Sequence, residues 1–171
     1  MKNITLFLLI VLLASACQTT QIFVPAIEVV TFPGRLSIRA GEVAIPEKLP
    51  ALTVSEAKVG DIIKVNADFY ARTDGNGRSK GFYYHLRPTY PGQVEELTPN
   101  DAIFQACSGW QSCNLVVYYR VLKAPISDYP IQFAMDFAKR DVSGSGQIGR
   151  MTLTAEVFPK GAVTIAPPPA E

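Results

Sequence analysis

Apolar and polar residues alternate one by one along several stretches of this chain, the period of a strand with one buried face. The clearest stretch begins at Asp61. There Ile63, Val65, Ala67, Phe69 and Ala71 share one side, and Lys64, Asn66, Asp68, Tyr70 and Arg72 share the other. Phe82, Tyr84 and Leu86 repeat the pattern against Tyr83, His85 and Arg87. Ile131, Phe133, Met135 and Phe137 do the same further on, as do Met151, Leu153, Ala155 and Val157 against Thr152, Thr154 and Glu156. Residues 115–122 are dominated by β-branched, aromatic and aliphatic side chains that suit a strand. Shorter strand candidates lie at 21–30, 36–40, 43–45, 51–54 and 103–106, the first interrupted by Pro25, which favours an edge or a bulge.

Turn residues divide these stretches. Pro33-Gly34 is a turn signal, and Asp74-Gly75-Asn76-Gly77 holds two hairpin dipeptides that should fold the 61–72 strand back on 81–87. Residues 88–101 read as a loop, and 142–149, with three glycines and two serines, as a mobile hairpin loop. Residues 55–60 have room for one helical turn at most, and no convincing helix of ten or more residues is predicted anywhere. One-sided strands must cover their apolar faces with each other. The expected fold is therefore all-β, a β-sandwich of seven to nine mostly antiparallel strands over residues 21–165, with a small β-barrel as the alternative.

The first residues read as an address. Lys2 precedes an apolar run, Ile4 to Leu13, that is too short to span a bilayer. Leu13-Ala14-Ser15-Ala16-Cys17 resembles a bacterial lipoprotein signal, although Ala14 stands where Leu is commonest. The resemblance implies that residues 1–16 are a signal peptide and that Cys17 becomes the lipidated first residue, with residues 17–20 as a short tether. It also implies placement in the bacterial cell envelope. Gln18, where Asp would favour inner-membrane retention, points to the outer membrane, facing the periplasm or the cell surface. Removing sixteen residues from 171 leaves a mature chain of 155.

Composition narrows the function. Sixteen basic residues balance fifteen acidic ones, with no basic cluster, which argues against nucleic acid as a partner. A single His argues against most His-based metal sites and catalytic networks, and no metal or cofactor is expected. Once Cys17 is set aside, Cys107 and Cys113 form the expected disulfide in an oxidising compartment. Trp110, the only Trp, sits within that short loop, either as a contact residue or as a lid over the sandwich end. Tyr83 and Tyr119 are candidate outward aromatics beside it, and His85 is a candidate surface base. Neither G-x-S-x-G nor H-E-x-x-H occurs. Asp74 and Asn76 lack the further ligands of an EF-hand, and Gly144, Gly146 and Gly149 are followed by strand residues rather than a Rossmann helix. Residues 166–171, with three consecutive prolines, should form a disordered tail.

The expectation is a non-catalytic envelope lipoprotein. It would meet the membrane through its lipid anchor and serve as an interaction or assembly module for another envelope protein, in a secretion, pilus or surface system. The alternative is a glycan- or peptidoglycan-binding module that uses Trp110 and the outward tyrosines.

Overall fold

A computed structural model describes residues 25–39, 49–73, 81–100, 102–105, 109–139 and 145–166. They form ten strands: β1 (Ala26–Phe32), β2 (Leu36–Arg39), β3 (Leu52–Val54), β4 (Ile62–Thr73), β5 (Gly81–Pro88), β6 (Val94–Glu96), β7 (Ala102–Gln105), β8 (Gln111–Val121), β9 (Ile131–Lys139) and β10 (Ser145–Phe158). The first sheet runs β1-β10-β4-β8-β6, with β2 beside the first part of β10, and the second runs β3-β9-β5-β7. Every pairing is antiparallel. The protein is a β-sandwich, and the described strands do not close into a barrel. The three-residue β6, inside the stretch read as a loop, takes the strand number beyond the seven to nine expected.

The alternation along the strands sets the core. Ile63, Val65, Ala67, Phe69 and Ala71 of β4 are buried, as are Leu115, Val117, Tyr119 and Val121 of β8 and Met151, Leu153, Ala155 and Val157 of β10. Opposite them stand Tyr84, Leu86, Ile131, Phe133, Met135 and Phe137 of the second sheet. Phe69 meets Tyr84 and Phe137 edge-on across the interface, at ring separations of 5.0 and 5.1 Å. These geometries match the quadrupoles of the rings. Tyr119 stacks on Phe133 at 4.7 Å and donates its hydroxyl hydrogen to the Leu86 carbonyl at 2.6 Å.

Asn100 completes that polar junction. Its Oδ1 accepts from the Leu86 amide at 2.9 Å, and its Nδ2 donates to the Tyr119 hydroxyl at 3.0 Å and to Glu96 at 2.8 Å. It also reaches the Leu86 carbonyl. A buried amide holding both backbone groups of a core residue removes a desolvation cost that the long 88–101 connection would otherwise leave.

Three local expectations need correction. β4 and β5 do not pair: β4 lies between β8 and β10, and β5 between β7 and β9. The connecting residues 74–80, with the Asp74–Gly77 turn signals, lie outside the described residues. Both strands bury one face, and a connection of that length reaches the opposite sheet, about 10 Å away. Second, Ser145 to Gly149 belong to β10 rather than to a loop, because pairing with β2 and β4 extends the ladder into this glycine-rich stretch. Third, residues 55–60 make no helical turn. They end in a tight turn at Gly60, whose φ of 91° is the left-handed conformation that glycine adopts freely.

Candidate functional site

Trp110 stands immediately before β8, on the outer face of the first sheet. The β4–β8 register ends by pairing Ala71 with Gln111, so one further step brings Arg72 beside Trp110. The Arg72 guanidinium carbon lies 5.1 Å from the indole centroid, and that of Arg35, from the β1–β2 connection, lies 5.4 Å away. Both distances lie in the range of cation–π attraction. Arg72 Nε also donates to Gln147 Oε1 at 2.9 Å, which fixes the guanidinium across the β4–β10 seam.

The indole rests on Gly149. A Cβ at this position would lie 2.9 Å from Cζ3 and 3.2 Å from Cη2 of Trp110. The β4–β10 register shifts between Ile148 and Met151, so the chain is irregular where the ring lies against it. Bulges of this kind re-aim side chains at the rims of sheets. Around the ring is a shallow depression of about 300 Å³ lined by Pro33, Gly34, Arg35, Tyr70, Trp110, Gly149 and Arg150. Arg35, Arg150 and Tyr70 are exposed, and no acidic residue lines the depression among the described residues. The site thus offers guanidinium donors beside an aromatic surface. A planar fork of N–H groups suits carboxylate or phosphate, and the rings suit an apolar or flat neighbour.

The candidates named from the sequence are distributed differently. Trp110 is 36% exposed, held against the sheet with part of its ring open. Tyr119 is a correction: it is fully buried. It shares the inward phase of Leu115 and Val117, and its hydroxyl is satisfied internally, which rules it out as a contact residue. Burial drives its phenol well above the ordinary range, with the Glu96 charge adding to the shift and the Asn100 hydrogen bond opposing it. Tyr83 is exposed, but on the outer face of the second sheet, so it shares no patch with Trp110. His85 is half-buried on that same sheet, paired opposite Asp136, with Nε2 3.4 Å from Asn100 Nδ2. Beside it, Arg87 forms an ion pair with Asp136.

Cys113 is a buried free thiol, and its expected partner Cys107 lies outside the described residues, as does Cys17. Burial pushes the Cys113 thiol up to about 11. The arginines were the part of the site missed from sequence. Arg72 was legible as an outward residue of β4, but Arg35 and Arg150 come from separate segments, and only the sheet brings them together.

No protein-family model matches the chain, and no curated protein matches it. Among solved structures it is similar to the tripod from the baseplate of bacteriophage Tuc2009, with a TM-score of 0.39 and 16% sequence identity. The match covers 77% of this chain and 63% of that one, so the chain spans less than two thirds of the baseplate protein's length.

Proposed function

We propose that this protein is a non-catalytic lipoprotein of the bacterial envelope whose β-sandwich docks an acidic segment of another envelope protein. The observation that carries this reading is the depression around Trp110, where Arg35, Arg72 and Arg150 converge on one aromatic ring with no acidic residue in the described lining. The near-neutral chain gives little general attraction to anions, so this local concentration of guanidinium groups provides selectivity. Aromatic and arginine side chains together are also the types that dominate binding energy at interfaces. The anchor rests on the signal-like residues before Cys17, which would keep the domain close to envelope assemblies and raise its effective concentration there.

A second reading, an acidic glycan, is supported by Tyr70 and Trp110, which flank Gly149 and offer adjacent ring surfaces. A photo-crosslinker at position 150 in intact cells separates the two. One dominant envelope protein should be captured, and the yield should fall more than tenfold in Arg35→Glu and fall with rising salt. Binding to carboxylated or phosphorylated glycans on an array, lost in Trp110→Ala, would favour the second reading. Equal capture by wild type and Arg35→Glu would remove the protein-docking reading.

A further inference from the structure

The end of the sandwich where β1 begins differs from the end that carries Trp110. Register places Ala26 level with Val157, Ile63 and Tyr119, so the chain enters where β4 begins and where β8 and β10 finish. Four large apolar residues are exposed at this end: Val59 (63%), Leu122 (45%), Ile126 (61%) and Tyr129 (57%). They are held outward by a backbone whose own bonds are made. The Gln93 carbonyl accepts from the Leu122 and Lys123 amides, Gln93 Nε2 donates to the Tyr129 carbonyl, and Ile126 and Tyr129 bond each other in both directions. The Asp61 carboxylate accepts from the Lys58 and Lys160 amides, which fixes the turn that presents Val59. Tyr90 meets Tyr129 edge-on at 5.9 Å. Ala26 and Pro125 line one recess, so the point of chain entry borders this surface directly.

We infer that this end of the sandwich rests on the lipid surface that holds the anchor, with Leu122, Ile126, Tyr129 and Val59 meeting the headgroup–acyl boundary. The inference rests on the proposed lipidation of Cys17. Nine residue steps separate Cys17 from Ala26, a span of about 30 Å when fully extended. The twelve residues of β4 rise about 40 Å along the sandwich. A chain anchored at Cys17 therefore cannot bring the Trp110 end onto the same bilayer, whereas the Ala26 end lies within reach throughout.

The side-chain chemistry agrees. Aliphatic residues supply insertion, tyrosines suit an interface with one wet and one apolar side, and Lys58, Lys123 and Lys160 are exposed at its edge with stems long enough to keep their charges in water. Glu56 and Asp128 are exposed at the same end, so burial of apolar surface, rather than net charge, carries the contact. Exposed apolar surface on this scale in a domain with a satisfied core marks an interaction face. With the apolar end on the bilayer, the arginine-lined depression faces away from the membrane toward a partner.

Trp110, the only Trp, serves as an internal reporter. The full acylated protein is reconstituted into vesicles of phosphatidylethanolamine and phosphatidylglycerol carrying brominated acyl chains. Wild-type emission should be unquenched, and Ile126→Trp should gain a blue-shifted, quenched component that wild type lacks. Position 126 is exposed, so the substitution leaves the core untouched. Quenching of Trp110 in wild type, or an unquenched second Trp on a chain whose intact mass shows acylated Cys17, would overturn the inference and leave the anchor standing. An unmodified Cys17 on a chain that does not associate with vesicles would remove both.

Discussion

Gly149→Ala tests the Trp110 site at its tightest point. The new methyl group would lie 2.9 Å from Cζ3 and 3.2 Å from Cη2 of the indole, and 3.5 Å from Cβ of Tyr70. Carbon atoms prefer separations of roughly 3.5–4.0 Å, so the ring must retreat by about half an ångström or more. The ring is already 36% exposed, so it has an outward path, and the cost to stability should fall at the low end for overpacking, about 1 kcal/mol. The larger consequence is local. An indole pushed off β10 leaves the position in which Arg35 and Arg72 lie 5.4 and 5.1 Å from its centroid. Because Trp110 is the only Trp, its emission reads the change directly. Gly149→Ala should shift the emission to the red and raise acrylamide quenching, with urea unfolding nearly as in wild type. Unchanged emission and quenching would refute the claim that Gly149 is the seat of the ring.

Other expectations concern the core and the thiols. Asn100→Ala strands the buried Leu86 amide and should destabilise the fold by about 2–3 kcal/mol in urea unfolding, against about 1 kcal/mol for Tyr119→Phe, which leaves the Leu86 carbonyl with Asn100. Equal costs would show that the amide finds another partner. In reduced protein, burial lifts the Cys113 thiol from 9.0 to about 11, so the folded state holds this proton more tightly than the unfolded chain. Its contribution to stability is complete below about pH 9 and is lost as pH rises toward 11; native alkylation at pH 8 should accordingly be slow. We propose that Cys107 and Cys113 pair in the oxidising envelope. Denatured, unreduced mature protein should then show no free thiol, and two titratable thiols would exclude the bond.

The long strands were legible because each buries one face. Residues 61–72, 131–139 and 151–157 carry an uninterrupted period of two, which states both the element and its inward side. The same logic, taken one residue further, places Tyr119 inside: it has the phase of Leu115 and Val117, and the adjacent Tyr118 takes the outward side. The Asp74–Gly77 turn signals misled for the opposite reason. Hairpin dipeptides describe a local reversal, and a chain crossing between two sheets reverses direction too. The glycine-rich stretch before Met151 read as a loop because glycine weakens a strand in isolation. In the fold, β2 and β4 pair with it from either side, and Gly149 makes room for an indole that arrives from 39 residues earlier in the chain.

By itself, the sequence determined the all-β class, the inward faces of the main strands and the lack of any recognisable catalytic motif, all of which follow from periodicity and residue type over short spans. It also supplied the lipoprotein-like signal and hence the reading of Cys17 as an anchor. Tertiary structure alone decided which strands are neighbours, and with that the separation of Tyr83 from Trp110, the burial of Tyr119 beside Asn100 and the convergence of Arg35, Arg72 and Arg150. It also decided that the exposed apolar residues gather at the end where β1 begins. A surface site assembled from several segments depends on strand order, and strand order is set by how two apolar faces cover one another across the whole chain rather than by any local pattern.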